Sequence, residues 1–206
     1  GTRLNITNAT FTGNAADSKG GAMRVNHLAI VNSTIVGNTN GVPGDVGGIY
    51  EDSGETYTAI NTIVANNTNG DCLSTPDSGF NNIDSDGTCG FATTANPLLG
   101  ALADNGGQTD TMYPQAGSPA IEGGTNTFCA VLDQRSQPRP DGTLCDVGAV
   151  EAAVHELTGT VFEDSNFAGT ASDFDGGTND LALPFVDVEL YTSTDTYIGS
   201  TTTDAS

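Results

Sequence analysis

The sequence predicts an all-β protein: a right-handed parallel β-helix over residues 1–151, a linker over 152–156, and an incomplete β-sandwich over 157–206. Three observations carry this reading. One submotif recurs at a spacing of 24 residues. Within each copy, apolar and polar residues alternate with period two, the pattern of a strand with one buried face. Gly or Asn closes each short apolar burst, and these residues fit the left-handed bends that a chain needs to turn between strands.

The repeat organises the first third of the chain. Leu4-Asn5-Ile6-Thr7-Asn8-Ala9-Thr10-Phe11-Thr12-Gly13-Asn14 matches Leu28-Ala29-Ile30-Val31-Asn32-Ser33-Thr34-Ile35-Val36-Gly37-Asn38 in register. A third copy follows at an offset of 28, over Thr58-Ala59-Ile60-Asn61-Thr62-Ile63-Val64-Ala65-Asn66. Between copies stand Gly20-Gly21-Ala22-Met23 and Gly47-Gly48-Ile49-Tyr50, 27 residues apart. Each turn of the repeat should then hold three short strands. The first carries Leu4 and Ile6 or Leu28 and Ile30. The second starts at Phe11, Ile35 or Ile63. The third carries Ala22 and Val25, then Ile49. Stacking aligns Asn8 and Asn32 at one corner, with Ile60 in the third copy. Corner asparagines are expected to hydrogen-bond one another in a ladder. An antiparallel sandwich would also give frequent turns, but it predicts no long-period match.

Composition narrows the function. The chain has 206 residues, 26 acids against five basic residues, and a formal charge of −21. Nucleic-acid binding needs Lys and Arg to displace counterions, so it is excluded. An anionic membrane surface would repel the chain. Cations are compatible partners, although acid can simply solvate a surface. No apolar run approaches a membrane span, and no signal peptide is visible. The chain opens inside a repeat and stops inside a strand-like run. It therefore reads as an internal piece of a longer protein whose export signal and anchor lie elsewhere.

Four cysteines form two local groups, Cys72 with Cys89 and Cys129 with Cys145. Their spacings suit surface loops closed by disulfides, although four cysteines allow three connectivities. Disulfides imply an oxidising compartment. Zinc is disfavoured, because there is no C-x-x-C and His27 and His155 lie far from both groups.

The repeats "NSTIVGN" and "NTIVANN" resemble those of polymorphic outer-membrane proteins and pectate-lyase-like bacterial surface proteins, over about residues 3–70. The resemblance implies a pectate-lyase-like solenoid. From residue 71 to 151 the order of motifs resembles the choice-of-anchor Q segment of secreted bacterial proteins. It runs through Asn96-Pro97-Leu98-Leu99-Gly100, Asp104-Asn105-Gly106-Gly107, Ser118-Pro119-Ala120-Ile121, Asp133-Gln134-Arg135 and Cys145-Asp146-Val147-Gly148-Ala149-Val150-Glu151. Ser136 stands where glycine is usual. The resemblance implies a cell-surface protein and no activity. Physically, the segment reads as final coils plus a cap over the open end, which would otherwise template aggregation. Arg135 and Arg139 are two of only four arginines. Ion pairs with Asp133, Asp146 or Glu151 would fix the cap; a catalytic arginine is the sharper alternative.

The last 50 residues resemble the opening of prealbumin-like adhesin B-repeats: "GTVFEDSN", "VDVELY" and "STTTDA". Such a domain is incomplete here, and another strand could complete it by addition. Asp164, Asn166, Asp173, Asp175 and Asp180 offer hard oxygen ligands for a Ca²⁺ ion. The alternative is a solvated acidic loop.

No nucleophile elbow, P-loop, HExxH or GxGxxG stands out. In the repeats the ionisable residues Arg3, Asp17, Lys19, Arg24, His27, Asp45, Glu51, Asp52 and Glu55 are expected mostly at bends. The outward strand positions carry Thr, Asn and Val, a polar wall rather than a titratable cluster. Asn5, Asn8, Asn32 and Asn66 each begin an N-x-S/T sequon, which the repeat itself explains. The expected function is an extracellular structural or adhesive surface protein, not an enzyme. It would self-associate by strand addition or end-to-end stacking, or contact other surface proteins or glycans. The alternative is a carbohydrate-active enzyme, a polysaccharide lyase or hydrolase, with its catalytic coils outside this fragment.

Overall fold

The computed structural model describes residues 3–52, 56–153, 162–163, 181–191 and 197–203. These are almost entirely β-strand and turn. The one helical element among them is a single 3-10 turn at Asn126–Phe128. The chain divides into two compact units, Gly1–Val154 and His155–Ser206.

In the first unit the chain passes through the same series of short strands more than once. The first pass holds β1 (Arg3–Thr7), β2 (Thr10–Thr12), β3 (Ala15–Ala16) and β4 (Met23–Val25). The second holds β5 (His27–Val31), β6 (Thr34–Val36), β7 (Thr39–Asn40) and β8 (Ile49–Glu51). Then come β9 (Tyr57–Ile60) and β10 (Ile63–Ala65), β11 (Ser78–Phe80) and β12 (Ile83–Asp84), and finally β13 (Thr93–Thr94). Every pairing among them is parallel. One sheet has the order β1-β5-β9-β11 and a second β13-β12-β10-β6-β2, while β3 pairs β7 and β4 pairs β8.

Register decides which residues meet. Leu4 pairs Leu28 and Ile6 pairs Ile30, at the 24-residue spacing. The third pass departs from the sequence expectation. Thr34 pairs Ile63 and Ile35 pairs Val64, an offset of 29 rather than 28. A one-residue slip exchanges the faces of a strand, so Val64 points inward with Ile35 and Ile63 points outward. The corner partner of Asn32 is consequently Asn61; Ile60 pairs Val31 within the strand. Asn8, Asn32, Asn61 and Asn81 have φ of 53, 46, 48 and 54°. Asparagine tolerates that left-handed corner, and a β-branched isoleucine does not. The Gly-Gly segments likewise register one residue closer, with Met23 opposite Ile49. There Gly48 lies so close to the next pass that a Cβ would sit 1.9 Å from the Asp71 carbonyl oxygen.

Two cores result. Leu28, Ile30, Ile35, Ile49, Tyr57 and Val64 fill the interior between the sheets, closed toward its far end by Cys72 and Cys89. Val36, Ile63, Ala65 and Ile83, on the opposite face of the β6-β10-β12 sheet, pack against Ala120 and Val147, with Leu99 and Met112 alongside. This sheet is buried on both faces, as parallel sheets usually are. On this sheet the outward wall of Thr and Val is therefore covered, not presented to solvent: Thr34 and Val36 are buried. On the β1-β5-β9-β11 sheet it stays open, with Asn5 and Thr7 exposed and Val31 and Thr58 half-buried.

The second unit is described only in part. β14 (Phe162–Glu163) pairs antiparallel with β15 (Leu181–Ala182). β16 (Asp187–Tyr191) pairs antiparallel with β17 (Tyr197–Thr202), with an irregularity between Leu190 and Tyr191. Asp164, Asn166, Asp173, Asp175 and Asp180 lie outside the described residues.

Candidate functional site

The segment expected to cap an open end instead runs along a side of the first unit, across the asparagine corner. Asn81 donates through Nδ2 to the Gly123 carbonyl at 2.9 Å. Asn61 donates to Thr125 O at 3.0 Å and accepts from Thr125 N at 2.9 Å. With its amide oriented to suit both neighbours, Asn32 donates to Phe128 O at 3.1 Å and accepts from Arg139 Nη1 at 3.3 Å. Asn8 donates to Leu132 O at 2.6 Å. As the strap runs from Gly123 to Leu132, it meets the corners of successive passes in reverse order. The corner asparagines thus bond the strap and not one another, because a left-handed corner turns the side chain outward. Backbone bonds from Asn8 N to Val31 O, Asn32 N to Ile60 O and Asn61 N to Phe80 O hold the stacking, with Ser33 Oγ accepting from Ala9 N and Asn82 Oδ1 from Thr62 N.

The asparagine ladder exists at the next corner. Asn38 Oδ1 accepts from Asn14 Nδ2 at 2.8 Å, and Asn67 Oδ1 accepts from Asn38 Nδ2 at 2.9 Å. Asn67 Nδ2 in turn donates to Asp71 Oδ1 at 2.9 Å. The signal was in the sequence, as the Asn14 and Asn38 that follow Gly13 and Gly37. Asp71 is fully buried, and its other oxygen accepts from Ser85 N and Oγ. Burial pushes its carboxyl above the usual carboxylate range, against the pull of those hydrogen bonds.

The strap returns along the same face. Val147 N donates to Ala120 O, Gly148 N to Asn61 O and Ala149 N to Thr34 Oγ1. Gly148 has φ 102°, and a Cβ there would lie 2.8 Å from Ile63 and Thr34 atoms. The disulfide Cys129–Cys145 ties the outgoing and returning runs, and Cys72–Cys89 ties the far end of the interior.

A buried ion network pins the end of the strap. Arg139 Nη1 pairs Glu151 at 3.0 Å, with both side chains essentially inaccessible. Arg139 also donates to the carbonyls of Asp146 and Gly148. Arg135 pairs Asp133 at 2.8 Å and donates through Nη2 to Glu151 O at 2.5 Å. Asp146 takes no arginine side chain; its carboxylate accepts from Glu122 N and Ala152 N. Asp133 Oδ1 accepts from Arg135 N and Gln137 N around the turn where Ser136 holds φ 67°. Burial raises the Asp146 and Glu151 carboxyls above their ordinary range and lowers Arg139. Both guanidinium groups are engaged by carboxylates and carbonyls, which is the arrangement of a structural clamp.

The remaining ionisable residues are dispersed. Asp52 takes Arg24 in two bonds, at 2.8 and 3.0 Å, with Lys19 at 3.8 Å. Glu51 is not at a bend: it sits in β8, is buried, and accepts from Ser74 Oγ at 3.2 Å. Arg3, Arg24 and His27 also lie within strands, in β1, β4 and β5. Among the described residues, no group of three His, Cys, Asp or Glu side chains is arranged to hold a metal ion. No helix among them is long and apolar enough to cross a membrane. The sequon residue Asn32 is fully buried, whereas Asn5 and Asn66 are exposed. In comparisons with protein-family models, curated proteins and solved structures, nothing matches this chain.

Proposed function

We propose that this chain belongs to an extracellular structural or adhesive protein of the bacterial surface type, and that it self-associates by strand addition. In this reading residues 1–151 form a right-handed parallel β-helix closed by a choice-of-anchor Q-like strap. Residues 157–206 contribute the start of a prealbumin-like sandwich, whose Asp164, Asn166, Asp173, Asp175 and Asp180 offer oxygen ligands for a Ca²⁺ ion or simply solvate the surface. Two disulfides suit a non-reducing compartment.

The observation that carries the reading is the edge at β1. This strand pairs β5 on one side and, among the described residues, nothing on the other. Leu4 is 43% exposed, whereas Leu28, in register with it, is fully buried. Ile6 and Phe11 lie at the same end, packed on the interior core but only partly buried. Such an edge offers backbone donors and acceptors beside apolar side chains, which is the chemistry that strand addition uses, whether the added strand comes from a preceding pass of the same protein or from another molecule. Electron microscopy of the purified protein, with and without a calcium chelator, tests this. Filaments that vanish in Leu4→Asp support association through β1, and their loss in chelator places metal ions in the contacts. Isolated particles in the unmodified chain at every concentration count against it.

A further inference from the structure

A cleft of about 320 Å³ opens where the strap region meets the end of β10. Val36, Leu99 and Met112 supply its apolar lining, and Asn66, Asn96 and Gln115 its polar lining. Its frame is fixed. Leu98 N donates to Asn96 Oδ1 at 3.0 Å, and Gln115 N donates to Leu98 O at 2.8 Å. Ser118 Oγ donates to Pro97 O at 2.6 Å. Leu98 itself is held at φ 46°, a conformation that a bulky side chain adopts only when its surroundings enforce it.

Two features define a ligand. The first is neutrality: the chain carries a net charge of −21, yet no ionisable side chain lines this cleft. The second is the state of the amides. Gln115 Nε2 is used by Tyr113 O and Asn96 Oδ1 by Leu98 N. Among the described residues, nothing bonds Gln115 Oε1, Asn96 Nδ2 or the Asn66 carboxamide, and all three side chains are exposed. Donors and acceptors therefore stand side by side above an apolar floor. A hydroxyl both donates and accepts, and a sugar ring adds an apolar C–H face, so the pattern matches a saccharide better than a cation or an aliphatic chain.

We propose that this cleft binds an uncharged, hydroxyl-rich ligand, a mono- or disaccharide unit of a neutral glycan. The proposal is independent of self-association. The two methionines of the chain, Met23 and Met112, make the test. Met112 lines the cleft, and Met23 lies in β4. With ¹³C-methyl-methionine labelling in the Leu4→Asp variant, maltose and N-acetylglucosamine are titrated. The expected result is a saturable shift of the Met112 methyl, with a midpoint of about 1 mM or below for the better of the two sugars, and no shift of Met23. Gln115→Ala and Asn96→Ala should each weaken it about tenfold while leaving the Met23 signal in place. Galacturonate should bind at least tenfold more weakly than the neutral sugars. No Met112 shift with either sugar overturns the proposal. So does an equal shift in Gln115→Ala, equal binding of galacturonate, or a response to n-butanol alone.

Discussion

Asn61 and Thr125, 64 residues apart, hold each other in both directions: the Asn61 amide donates to the Thr125 carbonyl and accepts from its N–H. The same asparagine gives its own carbonyl to Gly148 N. One corner residue thus joins the outgoing strap, the returning strap and the sheet. Replacing Asn61 by Gly keeps the left-handed backbone and removes only the amide. Loss of these two part-buried bonds should cost about 2–3 kcal/mol. Asn61→Ala should cost roughly 1 kcal/mol more, because Ala also resists positive φ. Urea midpoints of the two variants check this. Equal stability of Asn61→Gly and the unmodified chain would show that the strap is not held there.

The Arg139–Glu151 pair is inaccessible to solvent, so its two members are not worth equal and independent amounts. Removing one leaves the other charged and buried. Arg139→Met or Glu151→Gln should each destabilise by about 3–5 kcal/mol, and the double variant by much less than their sum. A double-mutant cycle by chemical denaturation reads the coupling directly. Additive effects would mean that the two residues act through separate contacts.

Acidity should stabilise this protein. Burial raises the Asp71, Asp146 and Glu151 carboxyls in the folded chain. An acid with a raised folded value contributes stability that is present below its unfolded value, about 4, and lost as pH rises through the folded value. Discharging a chain of formal charge −21 acts in the same direction. Melting temperature should therefore fall as pH climbs from about 4 through the raised folded values of these three carboxyls. Asp71 has no arginine or lysine partner, so Asp71→Asn isolates its share. The variant should be less stable than the unmodified chain in mild acid, and the gap should narrow as pH rises. A gap that stays constant would remove Asp71 from the account.

Much of this was legible in the sequence. The 24-residue register between Leu4 and Leu28 is the observed pairing, because the first two copies match without an insertion. The third copy was misaligned by one residue. Ile35 and Ile63 look equivalent as strings, but only the fold shows that both faces of β10 are buried, so that Val64 can face inward and Ile63 outward. Period-two reasoning assumes one wet face, and the strap removes it. The strap's path was not legible at all. Its partners are backbone carbonyls at Gly123, Thr125 and Leu132, which carry no residue signature. Arg135 and Arg139 stood out as rare cations in an acidic chain, whereas pairing Arg139 to Glu151 rather than Asp146 depended on the local turn. Asn66 closes the third repeat copy and Asn96 opens the Asn96-Pro97-Leu98-Leu99-Gly100 motif, but no pattern joined either of them to Gln115 on a third segment.

The disulfide Cys129–Cys145 crosses the strap and lies on its Asn32-facing side, with Arg139 Nη1 3.7 Å from the Cys145 sulfur. The Cys72–Cys89 bridge instead borders the interior core. The two should fail differently. Closing loops of this length stabilises by about 3 kcal/mol each in the chain-entropy account. Losing the strap bridge, in Cys129→Ser/Cys145→Ser, should loosen the outer layer first. Hydrogen exchange at the Gly148 and Ala149 amides, which bond Asn61 O and Thr34 Oγ1, should accelerate by one to two orders of magnitude. Amides of Ile30 and Ile35, inside the sheets, should change far less. Cys72→Ser/Cys89→Ser should reverse that order, because its bridge packs directly on the residues that fill the interior. Uniform acceleration in both variants would mean that strap and sheets open as one cooperative unit, and that the strap has no separate stability of its own.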